Sequence, residues 1–193
     1  MRCFLIHGIL TADGGKESLT PLANAIEARG IEPVFIKYPW TTAIRADSRA
    51  QKAADRLVDK AEVDDMAVGF SNGGLAVAYA LDKDCPLSKV LLVQPALRSD
   101  YQFPDYLDDT IIVHSAGDGA MPWARRWSTV TRILPWRITN PHPWGDMGLN
   151  GPDYDPPSDM TLIDQGDAAH GEPLGDPQAI EKMADTLVGP PVE

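Results

Sequence analysis

Short apolar runs alternate along this chain with longer stretches in which apolar side chains recur every three or four residues. Runs at 2–6, 33–38, 65–70, 89–94, 110–114 and 160–164 have the length of strands. Val90-Leu91-Leu92-Val93 and Ile111-Ile112-Val113 are apolar at every position, the pattern of strands covered on both faces. The stretches between them read as helices. Thr20-Pro21 sets a capping residue before a proline, and Leu22, Ala23 and Ile26 form a stripe closed by Gly30, so a helix is expected to open there. In 45–61, Ala50, Ala53, Ala54, Leu57, Val58 and Ala61 share one face. A third helix is expected over 73–81, where small Ala76, Ala78 and Ala80 permit close approach to a sheet. A last helix opens at Asp176-Pro177, carries Ile180, Met183, Ala184, Leu187 and Val188 as its stripe, and ends at Gly189-Pro190. Strand and helix in alternation predict an α/β fold: a three-layer α/β/α sandwich around a mostly parallel six-stranded sheet.

One stretch departs from this rhythm. Residues 119–159 hold four of the five tryptophans (Trp123, Trp127, Trp136 and Trp144), many prolines and little periodicity beyond a possible helix near 123–132. A segment this long without regular structure reads as a functional loop or a lid-like insertion. Its acidic, proline-rich end at 151–159 reads as a surface turn, and its tryptophans serve either to line a substrate pocket or to pack the segment down. At 193 residues the chain is expected to form a single domain, 1–193, that contains this insertion.

Composition narrows the partners. Seventeen basic against 28 acidic side chains give a formal net charge of −11, which opposes binding to nucleic acid or to anionic membranes. The apolar stretch at the amino terminus is too short for a signal peptide, and no window reaches the length of a membrane span. With only Cys3 and Cys85 no disulfide framework is expected. These features predict a soluble, cytoplasmic protein.

The candidate chemistry begins at Gly69-Phe70-Ser71-Asn72-Gly73, directly after an apolar run. This G-x-S-x-G pattern is that of a nucleophile elbow, a sharp strand-to-helix turn that holds a serine hydroxyl outward. Two glycines bracket a serine by chance in roughly one chain of this length in twenty, so the surroundings decide its value. A serine hydroxyl is a weak nucleophile and needs an imidazole to take its proton and a carboxylate to orient that imidazole. Of four histidines, His170 lies after the last strand and before the last helix, where active-site loops gather, and is the candidate base. His142, among tryptophans and prolines, is its rival. Asp118 follows the fifth strand between two glycines and is the candidate acid. Taken alone it also fits a turn aspartate, and Asp167 and Asp146 compete with it. The order serine, aspartate, histidine is the one this chemistry takes in α/β enzymes. The oxyanion needs two N–H donors. Asn72 offers its backbone, and Ile9, in the His7-Gly8-Ile9 loop after the first strand, offers the other; the His7 ring is read as bracing that loop.

On His7-Gly8-Ile9, on 69–73, on Asp118 ahead of Met121-Pro122, and on His170, the chain resembles a small member of the α/β-hydrolase superfamily, of the compact lipase and esterase type. The resemblance spans nearly the whole chain. It implies that the six strands match the later six of the usual eight, with the two leading antiparallel strands missing. Ala169-His170-Gly171 lacks the Gly-His pair often found at the base.

The expectation is a serine hydrolase that cleaves a small-molecule carboxylic ester or thioester through an acyl-enzyme, with Ser71, Asp118 and His170 catalytic and no cofactor or metal. Two other readings stay open: a hydrolase-fold protein that binds a ligand or partner without turnover, and a lyase or acyltransferase using the same triad. Gly14-Gly15-Lys16 lacks the spacing of a phosphate loop. Asp153, Asp155 and Asp159 with His142 match no metal loop and read as solvated acids. Arg125-Arg126 reads as a surface pair.

Overall fold

The computed structural model describes residues 1–9, 16–38, 43–120 and 144–191. Six strands, β1 (Arg2–Ile6), β2 (Glu32–Phe35), β3 (Asp65–Phe70), β4 (Leu87–Val93), β5 (Asp109–His114) and β6 (Met160–Asp164), form one sheet in the order β2-β1-β3-β4-β5-β6. All five pairings are parallel. The carboxyl ends of the strands therefore lie along one edge, and the chain reverses its direction of travel between β1 and β3. Crevices of open parallel sheets form at that kind of switch point.

Two cores cover the two faces of the sheet. On one, α1 (Lys16–Glu27) and α5 (Pro177–Val188) bury Leu19, Leu22, Ile26, Ile180, Met183 and Leu187 against β-strand residues such as Leu5, Val68 and Leu91. On the other, α2 (Ala43–Val58) and α3 (Asn72–Leu81) pack small side chains, among them Ala46, Ala50, Ala53, Ala54 and Ala76, against Phe4, Ile6 and Leu92. Every residue of α3 is buried. Asp176 caps α5, its carboxylate accepting the Gln178 N–H at 2.9 Å. Among the described residues no helix is long and apolar enough to cross a membrane.

Several boundaries differ from the sequence pattern, and three of them have a cause in the packing or backbone. Helix α1 starts at Lys16, so Thr20 is no cap and Pro21 lies inside the helix. An interior proline costs about 3 kcal/mol. The extra turn ahead of it buries Leu19 completely, an offset of about 1.5–3 kcal/mol. Strand β2 stops at Phe35 rather than at Tyr38. Ile36 still donates to the Leu5 carbonyl, and the chain then leaves the sheet so that the Tyr38 hydroxyl reaches the carbonyls of His7 and Gly8. Strand β4 ends at Val93 because Gln94 takes a positive φ of 42°, which breaks the extended backbone.

The described end of the 119–159 stretch is also more ordered than its composition predicts. A short helix, α4 (Met147–Asn150), follows Trp144, and both Trp144 and Met147 are buried. Gly145 and Gly148 permit this: a Cβ on them would stand 2.4 Å from Arg98 Cα and 2.6 Å from the Gln94 carbonyl carbon. The acidic end does lie at the surface, with Asp153, Asp155, Pro156, Pro157 and Ser158 exposed. The lid reading of 121–143 falls outside the described residues, as do His142, Trp123, Trp127, Trp136, Arg125 and Arg126.

Candidate active site

Ser71 stands between β3 and α3 with φ 53° and ψ −117°, a conformation rare for a residue with a side chain. Its surroundings hold it there. The Ser71 N–H donates to the Val93 carbonyl, and the Ser71 carbonyl accepts from Gly74 and Ala96, all at 3.0 Å. Gly69, Gly73 and Gly74 make room for the turn. A Cβ on Gly73 would come within 2.0 Å of the Ile6 carbonyl oxygen, and one on Gly69 within 2.7 Å of the Gly74 nitrogen. Gly74, outside the five-residue motif, meets Pro95 in the same way.

The loop after β1 lies against this serine. A Cβ on Gly8 would stand 3.4 Å from Ser71 Oγ, so the main chain that leads into Ile9 passes directly beside the hydroxyl. Ile9 is half-buried. Asn72 is the first residue of α3, and its backbone N–H is among those that a helix cannot pair internally. His7 is buried and stacked on Tyr38 with ring centroids 4.0 Å apart, its Nδ1 2.6 Å from the Gly8 carbonyl oxygen. The ring thus braces the loop. Tyr38 donates to the carbonyls of His7 and Gly8 at 2.6 and 3.0 Å, and burial pushes its phenol up to about 12 against the opposing hydrogen bond from Asn72. The Asn72 side chain joins these pieces: its amide donates to Tyr38 and to the Ala46 carbonyl, and its oxygen accepts the Trp144 indole N–H at 2.9 Å.

Asp118 and His170, 52 residues apart, meet at the ends of β5 and β6. His170 Nδ1 lies 2.8 Å from Asp118 Oδ2, and the other carboxylate oxygen accepts the Ala120 N–H at 3.0 Å. The Asp118 side chain is fully shielded from solvent, whereas that of His170 is 24% exposed. A carboxylate acceptor fixes the proton on Nδ1 and leaves the Nε2 lone pair available. The His170 ring stacks on Phe70, the residue before Ser71, at 5.1 Å between centroids. Asp167 is exposed and Asp146 sits beside α4, so neither takes the place of Asp118 at this histidine.

The loops that carry Asp118 and His170 are tied together. The Ser115 hydroxyl donates to the Gly166 carbonyl at 3.0 Å and also contacts that of Ala168, and Ala116 N–H donates to Gly166 at 2.8 Å. A Cβ on Gly117 would come within 2.0 Å of the Asp167 carbonyl oxygen. The sequence pattern did not single out Ser115, Tyr38, Phe70 or Gln94. For Gln94 a signal existed, a polar residue placed directly after the apolar run Val90 to Val93. Among the described residues no group of three or more His, Cys, Asp or Glu side chains is placed to hold a metal ion.

No protein-family model matches the sequence, and no curated protein matches it. Solved structures do resemble it. Alpha/beta hydrolase domain-containing protein 10 from mouse superposes with a TM-score of 0.60 at 13% identity, over 95% of this chain and 86% of that one. A protein described as a YdeN-like hydrolase, from Pectobacterium atrosepticum, gives 0.56 at 18% identity over 95% and 89%. The monoacylglycerol lipase of Paleococcus ferrophilus gives 0.55 at 14% identity over 95% and 91%. At such identities the likeness carries the fold alone, and the fold is that of these proteins.

Proposed function

We propose that this chain, whose fold is that of the α/β-hydrolases, is a serine hydrolase that cleaves a small-molecule carboxylic ester or thioester through an acyl-enzyme. The observation that carries the reading is the Asp118–His170 pair at 2.8 Å, its ring stacked on Phe70, the residue before a serine held in a strained elbow. His170 Nε2 takes the proton of Ser71 Oγ as the oxygen attacks the acyl carbon. The N–H groups of Ile9 and Asn72 receive the oxyanion, each such donor being worth about 10²–10³ in rate. The imidazolium formed is stabilised by Asp118 and hands its proton to the departing alcohol or thiol. Water then attacks the acyl group, with His170 again as base, and Ser71 is released. The buried thiols Cys3 and Cys85 suit a reducing, cytoplasmic setting.

A fluorophosphonate probe and a short-chain nitrophenyl ester test this. The wild-type chain is expected to be labelled on Ser71 and to turn over the ester. Ser71→Ala should abolish labelling, and His170→Ala should slow it by several orders of magnitude. Labelling that survives Ser71→Ala overturns the nucleophile. Labelling unaffected by His170→Ala overturns the base and returns His142 to that role.

A further inference from the structure

Gln94 follows the last residue of β4 and is wholly buried. A buried primary amide is costly unless both its ends are paired. Here both ends are paired to the backbone on either side of one residue, His170. Gln94 Nε2 donates to the Ala169 carbonyl at 3.2 Å, and Gln94 Oε1 accepts the Gly171 N–H at 2.6 Å. The two partners have opposite polarity, so only a side chain that donates at one atom and accepts at the other satisfies both. A methionine of similar length satisfies neither.

Gln94 is itself held on its backbone. Its N–H donates to the Val113 carbonyl at 2.8 Å, its φ is 42°, and Gly148 packs so near that a Cβ on it would stand 2.6 Å from the Gln94 carbonyl carbon. Val93, immediately before it, accepts the Ser71 N–H at 3.0 Å. Two consecutive residues at the end of β4 thus reference the elbow and the base loop to the same strand. We infer that Gln94 is a positioning residue: it fixes the segment that carries His170 relative to Ser71. This rests on the reading of Ser71 and His170 given above.

The test has a part that needs no variant. In the wild-type protein the Gly171 amide, outside any strand, should exchange with solvent at least about 10²-fold more slowly than a free amide; rapid exchange overturns the inference. In Gln94→Met the same amide should lose its protection. The maximal rate of fluorophosphonate labelling at Ser71 should fall about 10²-fold, the order expected for a displaced catalytic group. Half-saturation by the probe should stay within about threefold, because Gln94 is wholly buried and its amide is bonded to the backbone. A Gln94→Met chain that labels at the wild-type rate overturns the inference while the function stands, provided His170→Ala remains slow. If His170→Ala labels normally, the functional reading falls and the positioning role with it. Should Gln94→Met fail to fold, the exchange measurement on the wild-type chain decides.

Discussion

Backbone strain of about 1–3 kcal/mol accompanies a non-glycine residue at the φ and ψ of Ser71. Hydrogen bonds to Val93, Gly74 and Ala96 offset it, and glycines around the turn make the geometry sterically possible. Two of the nearby glycines act differently, and substitution separates them. A methyl at Gly73 meets the Ile6 carbonyl oxygen at 2.0 Å, backbone against backbone, so Gly73→Ala is expected to cost about 3 kcal/mol or more and to lower Tm sharply. A methyl at Gly8 meets Ser71 Cβ at 3.1 Å and Oγ at 3.4 Å, contacts that small shifts relieve. Gly8→Ala should leave Tm within a few degrees yet slow fluorophosphonate labelling by about tenfold or more, since the methyl fills space over the hydroxyl. Thermal denaturation and labelling rates on the two variants check this. Wild-type labelling of Gly8→Ala would show that the loop after β1 does not border the reacting atom.

At the scale of elements, the strands were legible because burial on both faces leaves an unbroken apolar signature, as in Val90 to Val93. The meeting of Asp118 with His170 was legible because chain order and strand ends constrain where the two lie. Tertiary demands erased the remaining signals: burial of Leu19 carries α1 past its proline, and the reach of Tyr38 to the His7 loop cuts β2 short. Braces such as Gln94 bond to backbone, and backbone partners leave no complementary residue to find in a sequence. A different brace sits at the opposite edge of the sheet. The carboxylate of Asp65, at the start of β3, accepts from the Arg2 N–H at 2.7 Å, from the Arg2 guanidinium at 2.7 and 3.1 Å, and from the Glu62 N–H at 2.9 Å. Burial alone would push its pKa up, but the hydrogen bonds from Arg2 and Glu62 and the Arg2 charge hold it below the usual carboxylate range. A carboxyl depressed in the folded state contributes stability above its unfolded value, about 3.9, and loses it as pH falls through the folded value. Asp65→Asn should therefore lower Tm at pH 7, with the deficit shrinking as the solution is acidified below about pH 4. An equal deficit at neutral and acid pH would assign the loss to packing instead of charge.

The whole molecule carries two cores on one sheet, and its two cysteines report on them separately. Cys3, in β1, belongs to the core under α1 and α5; Cys85, after α3, belongs to the core under α2 and α3. Both thiols are free and fully buried. Burial, with a smaller push from the Asp65 charge, raises the Cys3 thiol far above its ordinary range and the Cys85 thiol to about 11. Since the thiolate is the reactive form, neither should react with iodoacetamide in the native protein at neutral pH. Both should become reactive on unfolding. The two cores share β1, β3, β4 and β5 as their common floor, with Phe4 facing one and Leu5 the other, so losing one face removes the support of the opposite one. Labelling of Cys3 and Cys85 across a urea series is therefore expected to rise at one midpoint, coincident with loss of helical circular dichroism. A lower midpoint for Cys85 would mean that the α2–α3 face opens first. That face holds the helix after Ser71, so partial opening would uncouple Ser71 from a His170 loop still held by β5 and β6.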